Sequence, residues 1–187
     1  MDDEAREDLV DQARLMVAAG YDERDEIVEE LIDSAQGDEL DVTEEQIAAI
    51  VDEAWREHLA EQATWPPMTD VDRLNRAFAT LDASGIVARQ NFSCCQNCGH
   101  GEIRDERPDD APSHGYTFFH VQDTEAAVDG GGLYLAYGSF EPDSDAAGVG
   151  RRVSEALRAE GLSVEWNGST NTRILVKLEW RRRLPVG

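Results

Sequence analysis

Apolar residues recur every three or four positions through residues 1–64, which is the spacing of helices that bury one side. Gly20 and Gly37 follow the first two apolar stripes and are placed to end two helices. Thr43 and Gln46 have the spacing of a capping box, which predicts the start of a third helix. The stripes are Leu9, Ala13, Met16 and Val17; Ile27, Val28, Leu31 and Ile32; and Ile47, Ile50, Val51, Ala54, Trp55 and Leu59. Residues 1–64 are therefore predicted to form three amphipathic helices.

The helical pattern stops at a Trp-Pro-Pro sequence within residues 65–69, because proline removes a backbone donor and clashes inside a helix. It resumes in a helix that Thr69 or Asp70 can cap and that Gly85 can end. From there the apolar period falls to two, which is the spacing of strands. Five segments show this period: residues 86–92, 116–121, 133–137, 162–166 and 173–180. One more helix is predicted over residues 145–160, between the third and fourth strands.

This order of elements predicts an α+β fold with about five mostly antiparallel strands covered by two helices. An acidic three-helix segment precedes it. The last two strands flank an Asn-Gly-Ser turn at residues 167–169, which favours an antiparallel hairpin. We divide the chain into an acidic helical segment (residues 1–64), a linker (65–69) and an α+β domain with a cysteine-rich loop (70–187).

Charge changes the picture of possible partners. The chain of 187 residues carries a formal charge of −23, and residues 1–69 hold 22 acidic side chains against four arginines. Such a surface disfavours nucleic acids and anionic membranes as partners. It fits either a solvated surface or a basic protein partner for the acidic helices. No apolar run is long enough for a membrane span, and the acidic first residues do not resemble a secretory signal, so a cytoplasmic location is expected.

All three cysteines lie in residues 91–100 (NFSCCQNCGH), directly after the first predicted strand. Clustered cysteines in a cytoplasmic protein fit thiols or metal ligands better than disulfides. The Cys95-x-x-Cys98 spacing is half of a zinc ribbon or knuckle, since a two-residue gap lets both sulfurs face one ion. The candidate metal ligands are Cys94, Cys95, Cys98, His100 and His120, and zinc is the candidate cofactor.

Three other interpretations of the cysteines remain open. They can pack as small apolar groups beneath the loop. Cys95 and Cys98 can form a redox dithiol, although the chain lacks the βαβ order of such folds. One of them can also act as a nucleophile, with His114 or His120 as base and a polar neighbour that orients the base. The candidates for that neighbour are Asp123 and Asn91. No catalytic residue is assigned.

Several stretches resemble an uncharacterised bacterial, largely actinobacterial, family that is grouped as a domain of unknown function. They are residues 69–78 (TDVDRLNRAF), 85–99 (GIVARQNFSCCQNCG), 115–125 (GYTFFHVQDTE), 131–139 (GGLYLAYGS), 162–169 (LSVEWNGS) and 178–183 (LEWRRR). The resemblance implies one coherent domain over most of residues 65–183 and supplies no activity. We therefore expect a binding or regulatory module whose Cys/His cluster is structural. The alternative is a thiol-dependent enzyme that uses a cysteine of the cluster with His120.

Overall fold

The computed structural model describes residues 3–108, 113–141 and 145–185. These residues form seven helices and five strands. The helices are α1 (Asp3–Ala19), α2 (Arg24–Gly37), α3 (Glu44–Gln62), α4 (Asp70–Ala83), α5 (Gln96–Glu102), α6 (Val121–Val128) and α7 (Ala146–Ala159). The strands are β1 (Ile86–Arg89), β2 (Gly115–Phe118), β3 (Leu133–Gly138), β4 (Ser163–Glu165) and β5 (Ile174–Lys177).

The chain divides into two compact units. The helical unit comprises Met1–Pro67 together with Arg181–Gly187, and the sheet unit comprises Met68–Trp180. Residues 181–185, a short distance after the last strand, therefore join the helices at the start of the chain. We call residues 181–185 the tail segment.

Helices α1, α2 and α3 bury the apolar stripes that their sequences predict. The shared core consists of Leu9, Ala13, Val17, Ile27, Leu31, Ala35, Ile47, Ile50, Val51, Ala54 and, from the tail segment, Leu184. The predicted capping box starts α3: Thr43 Oγ1 accepts from the Gln46 amide at 3.3 Å, and Gln46 Oε1 accepts from the Thr43 amide at 3.0 Å.

The sheet unit is built on one five-stranded sheet in the order β1-β2-β3-β5-β4. Strands β1 and β2 run parallel, and the other three neighbouring pairs run antiparallel. The parallel pair follows from the long crossover between β1 and β2, which carries the cysteine loop and α5. This mixed, mostly antiparallel sheet confirms the predicted α+β class.

Helices cover both faces of the sheet. A Cβ added at Gly115 would lie 2.5 Å from Val149 of α7, so α7 packs on the face to which Gly115 turns. Helix α4 packs beside α7 and against β1. The opposite face carries Tyr116 and Phe118, which pack with Ile103 at the end of α5. The two predicted covering helices are thus α4 and α7, and the short helices α5 and α6 add to them.

The structure corrects the predicted strand over residues 116–121, which would contain His120. Strand β2 ends at Phe118, and His120 is the N-cap residue of α6. The reason is Asp123, whose carboxylate accepts the backbone N–H of His120 at 3.2 Å and satisfies a free amide at the helix start. From sequence, a strand and the start of a buried helix cannot be told apart here, because the apolar residues of the strand continue up to the N-cap of α6.

Candidate metal centre

The cysteine loop is held against the end of β2 by its backbone. Asn91 and Ser93 have positive φ angles of 49° and 65°, so the backbone leaves the strand conformation after β1. The Phe92 amide donates to the carbonyl of Phe119 at 2.8 Å, and the Val121 amide donates to the carbonyl of Ser93 at 3.2 Å. These bonds fix the approach of the loop to the start of α6.

The three cysteine sulfurs lie within 4.8 Å of one another. Within residues 3–108, 113–141 and 145–185, they are the one group of three or more Cys, His, Asp or Glu side chains that comes so close. Cys95 occupies the N-cap position of α5, Cys98 lies in its first turn, and Cys94 is exposed just before it. Tetrahedral zinc with Zn–S bonds of about 2.3 Å separates its sulfurs by about 3.8 Å. Small side-chain rotations therefore suffice to bring all three sulfurs onto one ion.

The two thiols of the CxxC pair differ in acidity. The backbone amide of Cys98 is the main cause that lowers the pKa of Cys95, and the Cys98 thiol adds to it. Hydrogen bonding to Cys95 and Cys94 raises the pKa of Cys98 to about 11. A negative charge on the cluster is therefore carried first by Cys95, with the neighbouring thiol as its donor.

His100 does not join the group of sulfurs. Its Nδ1 lies 3.0 Å from the hydroxyl of Tyr116, and its ring packs edge-on against Phe118 at a centroid distance of 5.2 Å. Burial lowers the pKa of His100, and the positive charge of Arg173 lowers it further. Both effects favour the neutral form of the ring, which packs against the sheet with one nitrogen engaged by Tyr116.

His120 also lies outside the group of sulfurs, but its surroundings are those of an oriented histidine. The residue is 6% exposed, and its Nε2 lies 3.1 Å from Oδ2 of Asp123. Its Nδ1 is buried and has no partner among the described residues. Burial is the main cause that lowers the pKa of His120; the Asp123 carboxylate opposes this effect, and Arg173 adds to it.

Arg173 completes this arrangement, and the sequence gives no signal for it. Its guanidinium binds both the Asp123 carboxylate and the backbone carbonyl of Tyr134, and it lies 5.6 Å from the centre of the Tyr134 ring. Fifty positions separate Arg173 from Asp123. The pairing depends on β5 lying next to β3, which no local pattern reveals.

The alternative bases and orienting residues of the sequence analysis also have definite positions. His114 is exposed at the start of β2, at the opposite end of that strand from the cysteine loop. Asn91 is bonded at 2.7 Å through its Oδ1 to the hydroxyl of Thr124, which ties the loop to α6. Asp123 faces His120, as the enzyme hypothesis requires of an orienting group.

Comparison with known proteins identifies a family without a known activity. A family described as a domain of unknown function (DUF6891) matches residues 2–184. No curated protein and no solved structure matches the chain. Among the described residues, no helix has the length and apolar character needed to cross a membrane.

Proposed function

The chain belongs to the DUF6891 family of domains of unknown function, and we propose that its cysteine loop is a structural zinc site in a binding or regulatory module. The observation that carries this proposal is the approach of three sulfurs to within 4.8 Å. Thiolate sulfur is a soft ligand that selects zinc over magnesium or calcium. Those harder ions prefer oxygen ligands such as carboxylates, and no carboxylate in the described part of the chain joins this group.

The acidities of the thiols fit stepwise metal binding. Metal ligands must be deprotonated, so the lowered pKa of Cys95 makes it the first thiolate to reach an ion. Hydrogen bonds to Cys95 and Cys94 raise the pKa of Cys98, so the bound metal ion must displace the proton of Cys98 to gain it as a ligand. Zinc binding should therefore release protons, and the apparent affinity should rise with pH.

A closed zinc site needs a fourth ligand, and we propose His120 for it. A histidine that binds zinc normally donates its other ring N–H to a carboxylate, and Nε2 of His120 faces Asp123 in this way. Its buried Nδ1 lacks a partner in the described structure and is the nitrogen left for the metal. His100 has less support, because Tyr116 already engages its Nδ1. Binding through His120 would pin the loop to the start of α6.

The proposed role of the zinc is to hold this loop rather than to carry chemistry. The loop contains two residues in the left-handed region, which cost free energy unless their surroundings fix them. A pinned loop presents a rigid surface for a partner. We propose a protein partner rather than a nucleic acid or a membrane, because the chain carries a net charge of −23. A cytoplasmic location and a largely actinobacterial distribution remain part of the proposal.

Native mass spectrometry of the full chain tests the zinc site. We expect one zinc per chain, and loss of the zinc in Cys95→Ser. Asn97→Ala lies between the two cysteines of the pair without removing a sulfur, and it should keep the metal. The proposal would be refuted if the protein neither carries zinc nor binds added zinc or cobalt.

Cobalt substitution tests the fourth ligand separately. Cobalt(II) reports its coordination through visible absorption, and a ligand set of three sulfurs and one nitrogen differs from three sulfurs and a water. We expect His120→Ala to change the visible bands of the bound cobalt, while the charge-transfer absorption from thiolate to cobalt stays the same. His100→Ala should leave both unchanged. Equal spectra for the wild type and His120→Ala would remove His120 from the site while leaving the three thiolates in place.

A thiol-dependent enzyme is the second candidate function. The lowered pKa of Cys95 favours it, since the thiolate is the nucleophile. In this arrangement a cysteine of the cluster attacks, and His120, oriented by Asp123, acts as base. Metal-free protein should then be alkylated by iodoacetamide at neutral pH at Cys95 faster than at Cys98. Uniformly slow alkylation of all three thiols would exclude this candidate.

A further inference from the structure

The tail segment occupies a binding groove on the helical unit through three kinds of contact. The first is a slot for Arg182. Its guanidinium lies 3.9 Å from the centre of the Tyr21 ring, and its Nε donates to the carbonyl of Gly20 at 2.8 Å. A Cβ added at Gly20, which has a φ of +72°, would meet the Arg182 side chain at 3.0 Å. A residue larger than glycine at position 20 would therefore collide with the Arg182 side chain.

The second contact recognises the peptide backbone. Gln62, which is 7% exposed, accepts from the Leu184 amide at 2.7 Å and donates to the Leu184 carbonyl at 3.1 Å. His58 Nε2 lies 3.1 Å from the carbonyl of Arg182. One buried side-chain amide therefore forms hydrogen bonds with both backbone groups of one residue, as a neighbouring strand would.

The third contact is a pocket for an apolar side chain. Leu184 is 3% exposed and belongs to the core formed by α1, α2 and α3. The groove therefore selects an arginine and, two positions later, a branched apolar residue. Arg183, between these positions, also contacts the helical unit: its guanidinium donates to the carbonyl of Pro66 and lies 5.9 Å from the centre of the Trp65 ring, so an arginine is favoured there too.

From these contacts we propose that the helical unit binds an Arg-Arg-Leu segment of a basic partner protein, and that the tail segment occupies the groove in its absence. Charge supports a basic occupant, since residues 1–69 carry 22 acidic side chains against four arginines, and the tail segment begins with three arginines. This inference uses none of the cysteine residues and stands apart from the proposed zinc site.

The tail segment acts as an internal competitor under this proposal. A tethered segment has an effective concentration of the order of millimolar, so it masks the groove from a partner that binds weakly. The apparent affinity for an external segment is reduced by the fraction of molecules in which the groove is open. Weakening the contacts of the tail segment should therefore raise the affinity of the groove for an external segment. If the tail segment only stabilised the helical unit, weakening it would not raise this affinity.

The test uses the full chain and a fluorescein-labelled peptide, Arg-Arg-Arg-Leu-Pro, which repeats residues 181–185. Fluorescence anisotropy should show weak binding to the wild type and at least tenfold tighter binding to the double variant Arg182→Ala/Leu184→Ala. The control peptide Arg-Arg-Arg-Asp-Pro keeps the arginines but cannot fill the apolar pocket, and it should not gain affinity. Adding Gln62→Ala to the double variant should abolish the gain.

Each alternative outcome is informative. Equal binding of the peptide by the wild type and a folded double variant would overturn the proposal, as would an equal gain for the control peptide. If the double variant fails to fold, Arg182→Ala alone decides: a several-fold gain supports the proposal, and unchanged binding overturns it. A wild-type dimer that disappears in Arg182→Ala would assign the groove to a second copy and overturn a separate partner.

Discussion

The packing of Gly99 against Phe118 gives the sharpest test of how the cysteine loop is positioned. A Cβ added at Gly99 would lie 2.3 Å from Cε2 and 2.6 Å from Cζ of the Phe118 ring. Phe118 is 0% exposed and is flanked by the rings of Phe92 and Tyr116, so it cannot move aside. Gly99→Ala must therefore lift α5 from the sheet and displace Cys98 with it.

The size of the effect follows from two opposing terms. Overpacking of a close-packed core costs up to about 3 kcal/mol, whereas alanine gains up to about 1 kcal/mol over glycine within a helix. The net loss is about 2 kcal/mol. For a domain of about 100 residues, 1 kcal/mol shifts Tm by roughly 4 °C, so Gly99→Ala should lower Tm by about 8 °C. Zinc affinity should fall as well, since the lifted helix carries one of the thiolates.

Gly101 provides the matched control. It lies in the same short helix, and a Cβ added there meets nothing within 4 Å. Gly101→Ala should therefore keep or raise Tm, by up to about 4 °C. Differential scanning calorimetry of both variants measures the difference. If Gly99→Ala melts at or above the temperature of Gly101→Ala, the packing argument and the placement of α5 are wrong.

Three further predictions concern single contacts. Leu184→Ala should destabilise the helical unit by about 2–4 kcal/mol in urea unfolding, because it empties a buried site, and a loss under 1 kcal/mol would contradict this. Asp123→Asn should cost about 2–3 kcal/mol, since it leaves His120 and the one-quarter-exposed Arg173 without their shared carboxylate; unchanged stability would refute that role. Burial raises the pKa of Tyr21 above the value of about 10 that a tyrosine has in an unfolded chain. Above that pH, Tyr21 ionises more readily in the unfolded chain than in the folded one, so its ionisation favours unfolding. Tyr21→Phe should therefore move alkaline unfolding, followed by circular dichroism, to higher pH, and an unmoved or lower midpoint would reject this cause.

The sequence predicted the long elements well because each follows a strong period. The stripes of α1 to α3 and the capping box at Thr43 are local signals, and local signals persist in the folded chain. The hairpin of β4 and β5 follows in the same way from its turn, since these strands pair antiparallel.

The candidate site was predicted only where its residues are neighbours in sequence. The three cysteines were found because they lie within five positions. Helix α5 was missed, since it spans seven residues that include two glycines and shows no apolar stripe. The pairing of Asp123 with Arg173 could not be predicted from the sequence, because it depends on the order of the strands in the sheet rather than on a local pattern.

The route of the chain has a consequence for its synthesis. The sheet unit, Met68–Trp180, is inserted between α3 and the tail segment. A ribosome therefore makes the first three helices early, but it must pass through the whole sheet unit before it supplies Leu184. The unit that is begun first is completed last, and every prematurely ended chain exposes an open apolar pocket of the kind that chaperones and proteases recognise.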